Sequence, residues 1–251
     1  NPGYKISIGP NGKKYLILGD NDIFEVKEQR GDVYIAYHPI KQMYIIYKFT
    51  GENSGKNTSL LWGLNSIKST NIDGYYNISS TKIEMWSIAG GKPQAEERKE
   101  YNYYYIGKGG DTKYFGDYKH VSDLQQFGNA TFFKGSTNSN QVFNELVIHN
   151  GEKVKKIPNG DEIKVKSESG KHLLYILYNL ADTHIPTTHT LFDLDTMEPI
   201  FEKADEFNHK IKFLKDGSRI IGNDAFYTNR EKRTGLGKML GDKKTKIPLK
   251  L

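Results

Sequence analysis

Ile163-Lys164-Val165-Lys166-Ser167-Glu168-Ser169-Gly170-Lys171-His172-Leu173-Leu174-Tyr175-Ile176 is the stretch that decides the fold. Ile163 to Lys166 alternates apolar and polar residues, the period of a strand with one buried face. Ser167 to Gly170 supplies turn residues, ending in the glycine that a tight reversal accepts without steric cost. Leu173 to Ile176 then reads as a second, more apolar strand. The same strand, turn and strand occur at Ile6 to Leu18 around Gly9-Pro10-Asn11-Gly12, and at Ile211 to Ile221 around Asp216-Gly217. A degenerate copy lies at Tyr37 to Ile46. Gly170 and Gly217 stand 47 positions apart, a fitting length for one four-stranded unit.

Around these copies, short alternating runs recur at Val33 to Tyr37, Met43 to Phe49, Ile83 to Ile88, Leu146 to His149 and Thr190 to Leu194. They are rich in Ile, Tyr and Phe, and Gly, Asn, Asp and Ser fill the gaps between them. Three runs lead into short polar turns: Ile83 to Ile88 into Gly90-Gly91-Lys92, Leu146 to Ile148 into His149-Asn150-Gly151, and Thr190 to Leu194 into Asp195-Thr196-Met197. Helical signals are few. Ser122 to Gly128 carries a capping Ser, Gln125 three residues on and a terminating Gly, which predicts one or two helical turns. Pro199 to Phe207 predicts another. The class is all-β with few short helices.

These repeats resemble the blades of β-propellers, particularly TolB-like and WD40-like ones, with residues 163 to 210 and 1 to 32 fitting best. The resemblance implies an array of about four to five antiparallel blades, each covering a face of its neighbour, over residues 1–229. Residues 51–82 then form a long insertion and residues 230–251 a C-terminal tail. The alternative that the residues leave open is an irregular β-sandwich. As a function, the resemblance implies a non-catalytic scaffold that recognises a protein or glycan through blade loops, in an extracytoplasmic or secreted setting. A cytoplasmic location is the other reading.

Charge is concentrated at one end. The chain of 251 residues holds 36 Lys plus Arg and 30 Asp plus Glu, and eight of the basic residues but only two of the acidic ones lie beyond residue 229. The remaining 28 of each sign balance, so the body has no excess charge to steer it to nucleic acid, and the tail, with Lys243, Lys244 and Lys246, is the part suited to phosphate or an acidic partner. No apolar run has the roughly 18 residues of a helical membrane span. The absence of cysteine removes disulfides and thiolate chemistry. The first residues, Asn1-Pro2-Gly3, lack an initiator Met and a signal segment, as expected of a processed secreted chain or of a domain within a longer one.

Recognition chemistry is suggested by tyrosine. Tyr101, Tyr103, Tyr104, Tyr105, Tyr114 and Tyr118 put six of the 17 tyrosines within 18 residues. A flat ring with a hydroxyl at its edge suits partner proteins and sugar rings, although packing between sheets uses the same property. Strand alternation sends Tyr101, Tyr103 and Tyr105 to one face and Tyr104 to the other. Trp62, Tyr75 and Tyr76, in the predicted insertion, are the residues expected to be exposed. The binding set is therefore Trp62, Tyr75, Tyr76, Tyr103, Tyr104 and Tyr105.

Catalytic signals are thin. Asp182, His184 and His189, read as a loop between strands, offer three metal ligands without a recognised zinc spacing. No nucleophile elbow is present. The acid pairs Asp193 with Asp195 and Glu96 with Glu97 leave a polysaccharide hydrolase or lyase as the enzymatic alternative, and a structural subunit with a basic tail is the third reading. No cofactor is implied: Gly107-Lys108-Gly109-Gly110 and the glycines from Gly235 to Gly241 lack the spacing of a phosphate loop.

Overall fold

A computed structural model describes residues 3–138, 142–158, 160–166, 172–179, 182–204, 211–213, 219–221, 224–226 and 247–248. They are all-β, and no helix occurs among them. The chain divides into two compact units, Asn1–Val121 and Ser122–Leu251.

In the first unit nine strands pair antiparallel in sequence order. They are β1 (Lys5–Ile8), β2 (Lys14–Leu18), β3 (Asp22–Arg30), β4 (Val33–His38), β5 (Met43–Lys48), β6 (Thr58–Ser69), β7 (Tyr75–Trp86), β8 (Gln94–Ile106) and β9 (Thr112–Tyr114), and β10 (His120–Val121) ends the unit. The reversal at Gly9 to Gly12 is the expected turn, with Gly12 at φ 74° and its N–H donating to Gly9 O at 2.9 Å. Two sequence expectations are corrected here. The segment from 1 to 32 is not a separate blade, because β3 pairs directly with β4 and the sheet continues. Nor is 51–82 an insertion, since it carries β6 and most of β7. Its frequent Asn, Ser and Gly residues read as loop, yet long strands with one face partly open accept them.

Burial explains why the sheet holds together. Leu16, Leu18, Phe24, Ala36, Ile45 and Tyr47 form one apolar cluster. Val33, Ile35, Ile46, Leu64, Tyr76, Ile78, Tyr104 and Ile106 form another. Strands β4 and β5 contribute to both, with Ala36 and Ile45 on one face and Ile35 and Ile46 on the other. Their lack of strict alternation is that of strands covered on two sides. Each fully buried aliphatic side chain contributes about 1.5–3 kcal/mol.

The sheet bends, and long-range contacts between strands distant in its order record the bending. The rings of Phe24 on β3 and Trp62 on β6 approach to 5.4 Å between centroids. Four strand spacings, about 19 Å in a flat sheet, separate β3 from β7, yet the Tyr76 hydroxyl donates to Glu28. Arg30 on β3 binds Asp73 in the β6–β7 turn through two guanidinium nitrogens at 3.0 and 3.2 Å. Asp73 is held below its ordinary value chiefly by that hydrogen bond. Gly31, at φ 59°, lets the β3–β4 turn lie against the β8–β9 turn, where a Cβ would stand 2.7 Å from the Gly109 carbonyl carbon. The glycine-rich run from Gly107 thus permits a close backbone approach.

Among the described residues the second unit holds three successive groups of antiparallel strands. β11 (Gln125–Phe127), β12 (Ala130–Ser136), β13 (Glu145–His149) and β14 (Val154–Pro158) pair in turn. β15 (Gly160–Lys166), β16 (His172–Asn179), β17 (Asp182–Asp193) and β18 (Glu198–Ala204) form a four-stranded sheet in sequence order. So do β19 (Ile211–Phe213), β20 (Arg219–Ile221), β21 (Asp224–Phe226) and β22 (Ile247–Pro248).

Both helix expectations fall here and are corrected to strands. Gln125–Phe127 pairs with Ala130–Phe132, and Glu198–Ala204 pairs with β17; ladder partners remote from the local capping pattern decide the outcome. The core joins Ala130, Phe132, Leu146, Ile148 and Ile157 to Phe192, Leu194 and Met197. Its corner is fixed by Asp193, whose Oδ1 accepts from the N–H groups of Asp195 and Thr196 at 2.9 Å each.

Candidate functional site

One concavity follows from the unequal loyalties of β6. Its second half pairs with β7 from Ser69↔Tyr76 to Leu64↔Ser80. Its first half pairs with β5, from Leu64↔Tyr44 through Leu61↔Ile46 to Thr58↔Lys48, so that Leu64 belongs to both ladders. Register shifts beside Leu64 and a positive φ of 71° at Gly63 mark the parting. Such an irregularity re-aims a strand and opens the ladder. Beyond Ser80, β7 continues alongside β8 alone, and a cleft of about 270 Å³ opens between Trp62 on one wall and Lys82, Glu100, Asn102, Tyr114 and Asp117 on the other.

The alternation of β7 and β8 places the polar side of this cleft. Ser80 stands opposite Glu100, and Lys82 opposite Arg98, so Ser80, Lys82, Glu100 and Asn102 project to one face. Lys82 Nζ lies 2.9 Å from Glu100 Oε2, and this hydrogen bond raises the lysine above its ordinary value. The Tyr114 hydroxyl donates to Asp117 Oδ1 at 2.6 Å. Burial, reinforced by that carboxylate, pushes the phenol up, so Tyr114 is a neutral donor throughout the physiological range. Asn102 donates its amide to Gly116 O, and its Oδ1 accepts from Tyr103 N at 2.8 Å. The donors and acceptors are therefore oriented before any ligand arrives, and half-exposed rings, Trp62 at 48% and Tyr114 at 47%, stand among them. Edge-to-face contact with Phe24, at 72° between planes, holds the indole.

Only Trp62 of the six residues expected to bind lies at this cleft. The exposure expected of Tyr75 and Tyr76 is corrected: they are 5% and 3% exposed. Tyr103 and Tyr104 are also buried, and Tyr105 is half-buried. Register sets Tyr76 opposite Tyr104 and Tyr75 opposite Tyr105, so these rings pack across strands instead of forming one surface. Lys82, Glu100 and Asp117 escaped sequence reading because only strand register brings them together. Tyr114 was visible in the tyrosine cluster, and its partner Asp117 lies three residues on.

The other candidates resolve differently. Asp182, His184 and His189 lie along strand β17, not in a loop; only their backbone is described. Lys243, Lys244 and Lys246 lie outside the described residues, as does the run from Gly235 to Gly241. Asp193 serves its turn, while Glu96 and Glu97 are adjacent on β8 and point to opposite faces. Among the described residues no group of three His, Asp or Glu is placed to hold a metal, and no helix is long and apolar enough to cross a membrane.

No family model matches the chain, and no curated protein matches it in sequence. Among solved structures it is similar to Kluyveromyces lactis Hsv2 with a complete loop 6CD, at 8% identity and a TM-score of 0.28 over 93% of this chain and 76% of that one. It is also similar to Hsv2 of the Kluyveromyces marxianus structure, at 9% identity and a TM-score of 0.30 over 92% and 74%. Scores this low leave the description of the fold to the chain's own sheets.

Proposed function

We propose that the protein is a non-catalytic recognition domain that binds a saccharide in the cleft beside Trp62. The observation that carries this reading is the pairing of a half-exposed, laterally braced indole with a pre-oriented set of hydroxyl, amide, ammonium and carboxylate groups. A sugar ring presents an apolar C–H face and a girdle of hydroxyls that both donate and accept. The indole complements the first and the polar wall the second.

The rest of the chain acts in this reading as a rigid scaffold. Two consecutive four-stranded meanders, β15–β18 and β19–β22, support a propeller-like construction of the second unit, and the turn pattern at Gly170 and Gly217 supports TolB-like or WD40-like kinship.

The test is a glycan array followed by calorimetry on the best-bound sugars. Trp62→Ala is expected to weaken binding at least about tenfold, the factor equivalent to 1.4 kcal/mol, and Asp117→Asn to change the ranking of sugars. No bound glycan, or binding indifferent to Trp62, would reject the reading.

A further inference from the structure

Strand β7 is only half covered at its side. It pairs with β6 no further than Ser80, while its ladder with β8 runs without a register shift to Trp86↔Gln94. From Thr81 to Trp86 the side away from β8 therefore presents N–H and C=O groups without a strand partner, the template to which another strand adds. Proteins blunt such edges with proline, bulges or charged side chains, and charges of opposite sign lose that protection when they can face one another across a pair. This run, Thr81-Lys82-Ile83-Glu84-Met85-Trp86, has no proline, and its charges alternate in sign. Ile83 and Met85 share one face, 66% and 65% exposed.

We infer that this edge is where two copies of the chain associate, by antiparallel pairing of Thr81 to Met85 about a two-fold axis at Ile83. An axis normal to a sheet keeps each face with its like, so residues opposite one another must share a parity. Centred on Ile83, the arrangement sets Ile83 against Ile83 of the second copy, Lys82 against its Glu84, Glu84 against its Lys82, and Thr81 against its Met85. Moving the axis one residue either way sets Lys82 or Glu84 against itself. Charge complementarity therefore selects both the occupant and the register, since opposite charges stabilise a cross-strand pair and like charges oppose it.

The two ionic groups are already ordered on one face, Lys82 by Glu100 at 2.9 Å and Glu84 by Lys119 at 3.0 Å and Arg98 at 3.4 Å. On the other face Ile83 and Met85 of both copies become one apolar stripe. Five paired residues per copy bury less than the roughly 1,000 Å² of a durable complex, so the association is weak and depends on concentration. It does not rest on the saccharide reading, and because Thr81 and Lys82 also line the cleft, a second copy and a sugar compete for this edge.

Analytical ultracentrifugation of the full chain across a concentration series tests it. A monomer–dimer equilibrium is expected, weakened at least about tenfold by Ile83→Asp, a change at an exposed position. Lys82→Glu and Glu84→Lys are each expected to be monomeric alone. An equimolar mixture of the two is expected to dimerise, because every opposed pair is then again of opposite sign. A monomer at all concentrations, a dimer indifferent to Ile83→Asp, or folded single variants that stay monomeric when mixed would each overturn the proposal.

Discussion

Tyr76 shows how one side chain links the two ends of a bent sheet. Its ring belongs to an apolar cluster and its hydroxyl donates to Glu28, four strands away. Burial, then the carboxylate, push its pKa from 10.0 up to about 12. The folded state thus prefers the neutral phenol. Its contribution is fully present below pH 10.0, and is lost as the pH rises from there through about 12. Tyr76→Phe is expected to cost about 1 kcal/mol at neutral pH, because Glu28 is exposed and water replaces the lost donor. The variant is also expected to flatten the alkaline fall in stability. Urea titrations at a series of pH values measure both, and an unchanged alkaline limb would contradict the assignment.

At the scale of elements, turns were the most legible feature of the sequence. Gly9 to Gly12, Asn150-Gly151 and Asp195 to Met197 all form the hairpin reversals expected of them. Their chemistry is local: Asn150 Oδ1, for example, accepts from the N–H groups of Glu152 and Lys153 at 3.1 and 2.8 Å. Ser122 to Gly128 misled for the converse reason. Its capping pattern is local, but the ladder to Ala130–Phe132 is worth more. Tyr75 and Tyr76 misled because nothing nearby in sequence announces that β8 supplies their covering partners. The cleft was legible only at Trp62, since its polar wall depends on the register between β7 and β8.

Gly31 belongs to this scale too, because it governs how two turns meet. Gly31→Ala combines a left-handed backbone with a collision against Gly109, and is expected to cost about 2 kcal/mol or more. Gly12→Ala, with open space around it, is expected to cost less. Chemical denaturation of both variants gives the comparison, and equal losses would remove the packing argument.

The whole molecule contains separate hydrocarbon clusters within two compact units. Nothing in the sequence marks a boundary near residue 121, because β-strands continue on both sides of it with similar composition. Leu16→Ala and Leu146→Ala each remove a fully buried side chain, one from each unit, and each is expected to cost about 2–5 kcal/mol. If the units unfold independently, calorimetry will show two transitions, with Leu16→Ala lowering one and Leu146→Ala the other. A single transition moved equally by both would mean that the units melt as one.

The divided pairing of β6 has a mechanical corollary. Its second half is bolted to β7, whereas its first half travels with β5, and Gly63 is the joint between them. Rotation at that joint would widen or narrow the jaw in which Trp62 is set at the cost of the single pair Leu64↔Tyr44, leaving the rest of both ladders intact. An aperture adjusted in this way can grip guests of different girth without any change in the groups that line it.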